Sequence, residues 1–267
     1  YADAQHNLGN LLEVKRKSVF DDAEAAYRAA IAAHPGHADT HNNLGVLLSV
    51  RKDLGGAEDV DGAEAAYRAA IAADPGYADA HNNLGRLLEN ERKDIDGAEA
   101  AYRAAIAADP GYATAHNNLG ILLKYDRQDI DGAEAAYRAA IAADPEHASA
   151  HYNLGALLDN EREDLDGAEA AYRAAIAADP ELAMAHDSLG LLLFIERTDI
   201  DGAEAAYRAS IAADPGCADG HWHLGWLLEE ETEDEEGAEA AYRAAIAADP
   251  GCADAHSFLR GLLHYRQ

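Results

Sequence analysis

The chain has little cysteine, little positive charge and no long apolar run. Two cysteines, Cys217 and Cys252, exclude a disulfide framework and a cysteine-based zinc site, and leave the redox compartment open. No stretch approaches the length needed to cross a bilayer, and the start at Tyr1 shows neither a basic n-region nor an apolar h-region. The missing initial Met points to a processed or trimmed segment. With no sorting signal in the chain the compartment is undetermined, and the cytoplasm is the default expectation. Lysine plus arginine number 21 against 50 aspartate plus glutamate, a formal charge of −29, so the averaged surface repels nucleic acid and anionic membrane. There is no glycine-rich phosphate loop and no nucleophile elbow. No serine or cysteine recurs beside a histidine and a carboxylate beyond what repetition explains, so neither enzyme nor cofactor chemistry is expected.

What is present is one unit written several times. All seven prolines, from Pro35 to Pro250, follow a version of AEAAYRAAIAA and an Asp or His. The boundaries are 1–36, 37–76, 77–111, 112–146, 147–181, 182–216 and 217–251, with a half-unit at 252–267, all within a single domain over 1–267. From Tyr77 the period is 35 residues; the longer first two units carry their insertions between the two halves of the unit, as at Arg51 to Asp61. A segment that absorbs extra residues is an exposed turn.

Each unit reads as two helices, A and B. In the third, Ala80, Leu84, Leu87 and Leu88 form one apolar stripe, and Ala98, Tyr102, Ala105 and Ile106 form another. Asp96 and Glu99 mark the start of helix B as a capping box, and Glu99 pairs with Arg103 four residues on, a pairing repeated from Glu24/Arg28 to Glu239/Arg243. Asp109-Pro110 ends the helix. No segment alternates at period two, so no sheet is expected. One such pair cannot bury its own apolar face, whereas stacked neighbours can. The fold class expected is therefore all-α: a right-handed α-solenoid of stacked antiparallel helix pairs, seven pairs plus a terminal helix. The alanines of helix B and a glycine in each helix A, Gly9 to Gly225, allow the two helices to cross closely.

The pattern N-L-G-x-L-L, A-x-A-A-Y-x-x-A-I and a closing D-P resembles the tetratricopeptide repeat over essentially the whole chain. The family's usual unit is one residue shorter, the extra residue falling in the A/B turn. Its aromatic residue near the start of helix A is here a histidine, from His41 to His256. Those histidines lie on helices about 8 to 10 Å apart, too far to share a zinc ion that needs nitrogens within about 2.1 Å. They are read as packing residues that hydrogen-bond between helices. Asp94-Ile95-Asp96-Gly97 and its relatives look like a fragment of a calcium loop but lack its remaining ligands. Weak divalent-ion screening around Glu229 to Glu236 is the expectation there. Cys217 and Cys252 occupy equivalent places in adjacent units and are expected as separate, half-buried thiols.

The resemblance implies that helix A lines a concave face, and that face is where the copies differ. Its outward positions carry Asp79, Asn82, Arg86, Glu89 and Asn90 in the third unit, and Thr114, Asn117, Ile121, Lys124 and Tyr125 in the fourth. The sixth has Met184, Asp187, Leu191, Phe194 and Ile195; the seventh has Asp219, Trp222, Trp226, Glu229 and Glu230. The only methionine and both tryptophans fall on this surface, and with Leu191, Phe194 and Ile195, if half-exposed, they would form an apolar patch on the order of 400 Å² or more. The expected function is a non-catalytic scaffold that binds a peptide or protein segment in the groove. Its expected contact residues are Met184, Leu191, Phe194, Ile195, Trp222 and Trp226, together with Asn82, Arg86, Asn117, Ile121, Tyr125 and Tyr152. The flanking acids favour a basic or apolar partner, and no nucleic acid, membrane, metal or cofactor is expected. A carboxylate clamp is disfavoured, since the outward positions offer only Arg86 and Lys124. An asparagine ladder, Asn7, Asn43, Asn83, Asn118 and Asn153, is broken by Ser188, His223 and Phe258; it could hold a peptide backbone or bond to neighbouring helices.

The last half-unit reads as a cap, with Arg260 at the position of the crossing glycine, and the opposite end begins directly in a helix A. Open ends suit a second reading, a structural solenoid that self-assembles head to tail into filaments.

Overall fold

The computed structural model describes residues 19–52 and 59–265, and among these every regular element is a helix. Helix α1 covers 19–33. It is followed by α2 (Ala38–Lys52), α3 (Asp59–Ala73), α4 (Ala78–Leu87, continued by a π-helical turn over Leu88–Arg92), α5 (Ile95–Ala108) and α6 (Ala113–Tyr125). Then come α7 (Ile130–Ala143), α8 (Ala148–Arg162), α9 (Leu165–Ala178), α10 (Ala183–Ile195), α11 (Ile200–Ala213), α12 (Ala218–Glu231), α13 (Glu235–Ala248) and α14 (Ala253–Tyr265). Even numbers are A helices and odd numbers B helices, so the all-α fold expected is the one observed. Asn7 and Gly9 lie outside the described residues. The chain forms two compact units, Tyr1–Asp129 and Ile130–Gln267.

Helix B starts at an aspartate two residues earlier than the sequence suggests. The Asp94 carboxylate, not that of Asp96, accepts from the Gly97 backbone N–H at 3.0 Å. Asp164, Asp199 and Asp234 cap α9, α11 and α13 in the same way. A side chain at Gly97 would collide with the capping carboxylate, which is why glycine follows at the third position. Freed from capping, Asp96 pairs with Arg127, and Glu99 takes both Arg103 and Arg127.

The additional residue of the 35-residue period sits where helix A ends. The Lys93 and Asp94 N–H groups both bond to the Leu88 carbonyl, one residue wider at each step than an ordinary helix end. Lys93 adopts a left-handed conformation with φ 55°, as do Gln128, Glu163, Thr198 and Glu233 at the same place in later units. At the other end of helix B, Asp109 is extended before Pro110 and its carboxylate accepts from Gly111 N–H at 2.9 Å. His116 Nε2 then bonds the Pro110 carbonyl at 3.1 Å. The other described histidines of the column, from His41 to His256, bond the proline carbonyl six residues earlier in the same way. The column thus fastens the turn that leads from one repeat into the next.

Within a pair, Gly85 faces Tyr102 while Leu88 faces Gly97; one number rises as the other falls, so the helices are antiparallel. The tyrosine ring is fully buried in α5, α7, α11 and α13 and nearly so in α9. In every such pair where the glycine's surroundings are described it lies in the notch the glycine leaves. A Cβ at Gly155 would stand 2.8 Å from the Tyr172 ring. Burial of a ring of this size contributes about 1.5–3 kcal/mol. Successive pairs are tied on the outside by arginines: Arg92 reaches Asp61 and Glu64, Arg162 reaches Asp131 and Glu134, and Arg197 reaches Asp166 and Glu169. These pairs are partly exposed and each contributes about 1 kcal/mol or less.

Two glycine substitutions should move stability in opposite directions. Gly155→Ala forces the Tyr172 ring to shift and is expected to cost about 1 kcal/mol or more despite the gain in helix propensity. Gly261→Ala, with open space around the added carbon, should instead stabilise by about 0.5–1 kcal/mol. Guanidinium denaturation midpoints of the two variants check both signs.

Candidate interaction face

The buried tyrosine does more than fill a notch, because its hydroxyl emerges at the A helix thirteen residues earlier. Tyr102 donates to Glu89 at 2.6 Å, Tyr242 to Glu229 at 2.7 Å and Tyr172 to Asp159 at 3.3 Å. In the second repeat, which carries the insertion, the separation is 18 residues and Ser49 Oγ lies 3.2 Å from the Tyr67 hydroxyl. The sixth unit places Phe194 at this position, and the fully buried Tyr207 hydroxyl has no partner. Burial raises the pKa of each of these tyrosines, and a nearby carboxylate adds to the rise in most: Glu89 for Tyr102, Asp159 for Tyr172, Asp187 for Tyr207 and Glu229 for Tyr242.

In the second compact unit, Ile130–Gln267, the ring at Phe194 belongs to an aromatic cluster. Phe194 meets Trp226 edge-on at 4.8 Å between centroids; Trp226 lies 5.9 Å from Trp222, and Trp222 stacks on Phe258 at 5.5 Å. The cluster therefore bridges α10, α12 and α14. Beside it His223 Nδ1 lies 2.8 Å from Asp187 Oδ1, with both side chains largely buried and the imidazole stacked on Tyr207. Met184 and Ile195 stand clear of the cluster, 55% and 51% exposed. Trp222, Trp226, Leu191 and Tyr152 are half-buried.

Three residues expected to point outward are instead buried: Asn82, Asn117 and Phe194. For Asn82 and Phe194 the reason is the neighbouring A helix. Asn82 Oδ1 accepts from Asn118 Nδ2 at 2.9 Å, and Asn42 from Asn83 at 3.1 Å, so these asparagines bond between helices. Phe194 lies against Trp226. In the first unit Arg86 is exposed, Ile121 half-buried, and Tyr125 exposed with the Lys124 ammonium 5.1 Å from its ring centre. A cavity of about 360 Å³ there is lined by Val46, Val50, Val60, Tyr67 and Leu87, with Arg86 at its wall. Val46 and Val50 were not foreseen; they are the second unit's equivalents of Arg86 and Asn90, and aligning the units would have found them. Neither the His223–Asp187 pair nor the unpaired Tyr207 hydroxyl shows in the spacing of one helix.

Cys217 and Cys252 are free and half-buried, and Cys217 caps α12 by accepting from Gly220 N–H at 3.4 Å. Among the described residues no three histidine, cysteine or acidic side chains gather as metal ligands, and no helix is long and apolar enough to cross a membrane.

The tyrosine column yields a test by opposite effects. Tyr207→Phe removes a buried group that has no partner and should leave stability unchanged or raise it by up to about 1 kcal/mol; Tyr242→Phe breaks a bond to a carboxylate and should cost about 1.5–3 kcal/mol. Thermal melts of the two variants decide the matter. Acid should also stabilise the fold. Loss of water raises the pKa of Glu89, with Asp126 adding to the effect, and of Asp159, with Glu196 adding. Both groups bind a proton more tightly when folded, so their contribution is present below the ordinary carboxylate range and is lost as pH rises through the raised values. Asp59, held low by hydrogen bonds from Arg51, works oppositely and loses its contribution only in stronger acid. The melting temperature is expected to rise from pH 7 to about pH 5, with the rise flattened in Glu89→Gln and Asp159→Asn. An unaltered profile in both variants would assign the effect to net charge instead.

A tetratricopeptide-repeat family model matches residues 6–60, 52–113, 118–183 and 191–253. No curated protein sequence matches the chain significantly. Among solved structures the chain is similar to pilF of Pseudomonas aeruginosa, with TM-score 0.69 and 21% identity over 91% of this chain and 99% of that one. It is similar to a chain of the APC/C hetero-tetramer Cut9-Hcn1, with TM-score 0.70, 17% identity and 91% of this chain covered; it spans 46% of that chain's length. YrrB, a TPR protein with an unusual peptide-binding site, aligns with TM-score 0.55 and 24% identity over 73% of this chain and 97% of its own. At these identities the structures speak for the fold alone. With the repeat model matched along most of its length and the same helix pairs in its fold, the chain belongs to the tetratricopeptide-repeat family.

Proposed function

We propose that the chain is a non-catalytic interaction scaffold whose A-helix face in the second unit docks a peptide or protein segment. The family is one of protein-interaction scaffolds, and YrrB, of the same repeat type, carries a peptide-binding site. The observation that carries the reading is the contrast within that unit. The B helices are near copies of one another, whereas the A helices α10 and α12 expose Met184 and Ile195 beside the half-buried pair Trp222 and Trp226. Large apolar side chains left in water beside a packed aromatic base have the composition of an interface hot spot. Leu191 and Phe194 support the base, and Tyr152 lies on the preceding A helix of the same unit. The compact unit Tyr1–Asp129 carries on its own A helices a separate, more polar set, Arg86, Ile121 and Tyr125.

The reading is tested by placing a photo-crosslinking amino acid at Ile195 and, as an equally exposed control on a B helix, at Arg208. Adducts to another protein are expected several-fold more often from position 195. Equal yields at the two positions would remove the docking face. Adducts only to further copies of the chain, with polymers seen by light scattering, would replace it with self-assembly.

A further inference from the structure

Positive charge is distributed unevenly along the chain. Residues 1–129 hold 13 basic against 21 acidic residues, whereas residues 130–267 hold 8 basic against 29 acidic, and those 8 include no lysine. The arginines of the second unit are largely engaged on its outer side. Those on the B helices are held by the glutamate four residues earlier, and Arg162 and Arg197 by the acids of the preceding pair. None of these ion pairs lies on the A-helix face.

Along α12, Asp219, Trp222, Trp226 and Glu230 fall at i, i+3, i+7 and i+11 and so share one stripe, an indole pair with a carboxylate at each end. Both carboxylates are exposed. The last turn of α12 carries Glu229, Glu230 and Glu231 and no basic residue, the wrong sign for the negative end of a helix. Beneath the stripe the unpartnered Tyr207 hydroxyl, by the geometry of its counterparts, points at Phe194 at the base of the cluster. A purely apolar guest would strip water from the two terminal carboxylates without replacing it.

Resting on the reading of this face as a docking surface, we propose that its occupant is a polypeptide segment that lays an arginine side chain on the Trp222–Trp226 pair, with Asp219 and Glu230 as its counter-ions. A guanidinium is flat enough to stack on an indole, bonds a carboxylate through two N–H groups, and is less strongly hydrated than an ammonium. Apolar neighbours in the segment cover Met184 and Ile195. Nucleic acid has the wrong charge for this stripe.

Trp222 and Trp226 are the only tryptophans of the chain, so intrinsic emission reports the site without a label. The experiment selects peptides from a phage-displayed random dodecapeptide library on the full chain, then titrates the selected peptides and their arginine-to-citrulline and arginine-to-lysine forms against tryptophan fluorescence. Arginine flanked by apolar residues should be enriched, citrulline should weaken binding about tenfold or more, and lysine should weaken it less. Asp219→Asn with Glu230→Gln, both at exposed positions that leave the fold intact, should weaken binding and flatten its salt dependence. Selected peptides that perturb the emission and bind equally with citrulline overturn the arginine while leaving the docking face standing. If no selected peptide alters the emission, the docking face and the arginine fall together.

Discussion

The packing of a helix pair depends on the contact between a B-helix tyrosine ring and the A-helix glycine it covers, seen at Gly45, Gly85, Gly155, Gly190 and Gly225. The glycine lets the two backbones approach, the ring fills the space so made, and the antiparallel register follows from their meeting. Because a tyrosine ring is longer than the notch, its hydroxyl reaches the next turn of helix A, where a carboxylate receives Tyr102, Tyr172 and Tyr242 and nothing receives Tyr207. One contact therefore links the part of the repeat that is copied to the part that varies: Glu89, Asp159 and Glu229 each sit where a hydroxyl emerges. A residue at that position cannot be chosen for a partner alone.

Much of this was legible in the sequence, and the limits have physical causes. Helix pairs, their boundaries, the crossing glycines and the stacking follow from periodicity and repetition, because those depend on local spacing. The cap at Asp94 was misplaced to Asp96 because the widened turn over Leu88–Arg92 delays the helix end, and a linear pattern does not show a residue held in the left-handed region. Asn82, Asn117 and Phe194 lie outward on an isolated helix but are buried in the structure, Asn82 and Phe194 against the neighbouring A helix. The arginines that bind pair to pair reach acids 28 and 31 residues earlier, separations that only the stacked structure makes short. The variable positions of the A helices were legible, but the sequence did not show which of them are covered.

Charge is sorted by face. On the outside the glutamate near the start of helix B is shared by two arginines in α1, α3, α5, α7 and α9, as Glu134 is by Arg138 and Arg162, so repulsion between stacked repeats is relieved where they touch. On the A-helix side of the compact unit Ile130–Gln267, Asp159 and Glu229 meet a tyrosine hydroxyl instead of a cation. Such bonds satisfy the oxygens but leave their charge in place, and the partly desolvated Asp159 responds with a raised pKa. The stack is held together by neutralised pairs, and its other face retains a negative potential.

The substitution at Phe194 shows what the variable face costs. A carboxylate or hydroxyl there would satisfy Tyr207 as its counterparts satisfy Tyr102 and Tyr242; phenylalanine leaves the hydroxyl orphaned, a penalty of about 1–3 kcal/mol. The return is the edge-on contact with Trp226, worth about 0.5–1.5 kcal/mol beyond area burial, and a rigid base for the indole pair. On stability alone the exchange is close to even or unfavourable. The near-copied framework accepts this exchange beside its two tryptophans, and a local cost of that kind is what the proposed docking face would carry.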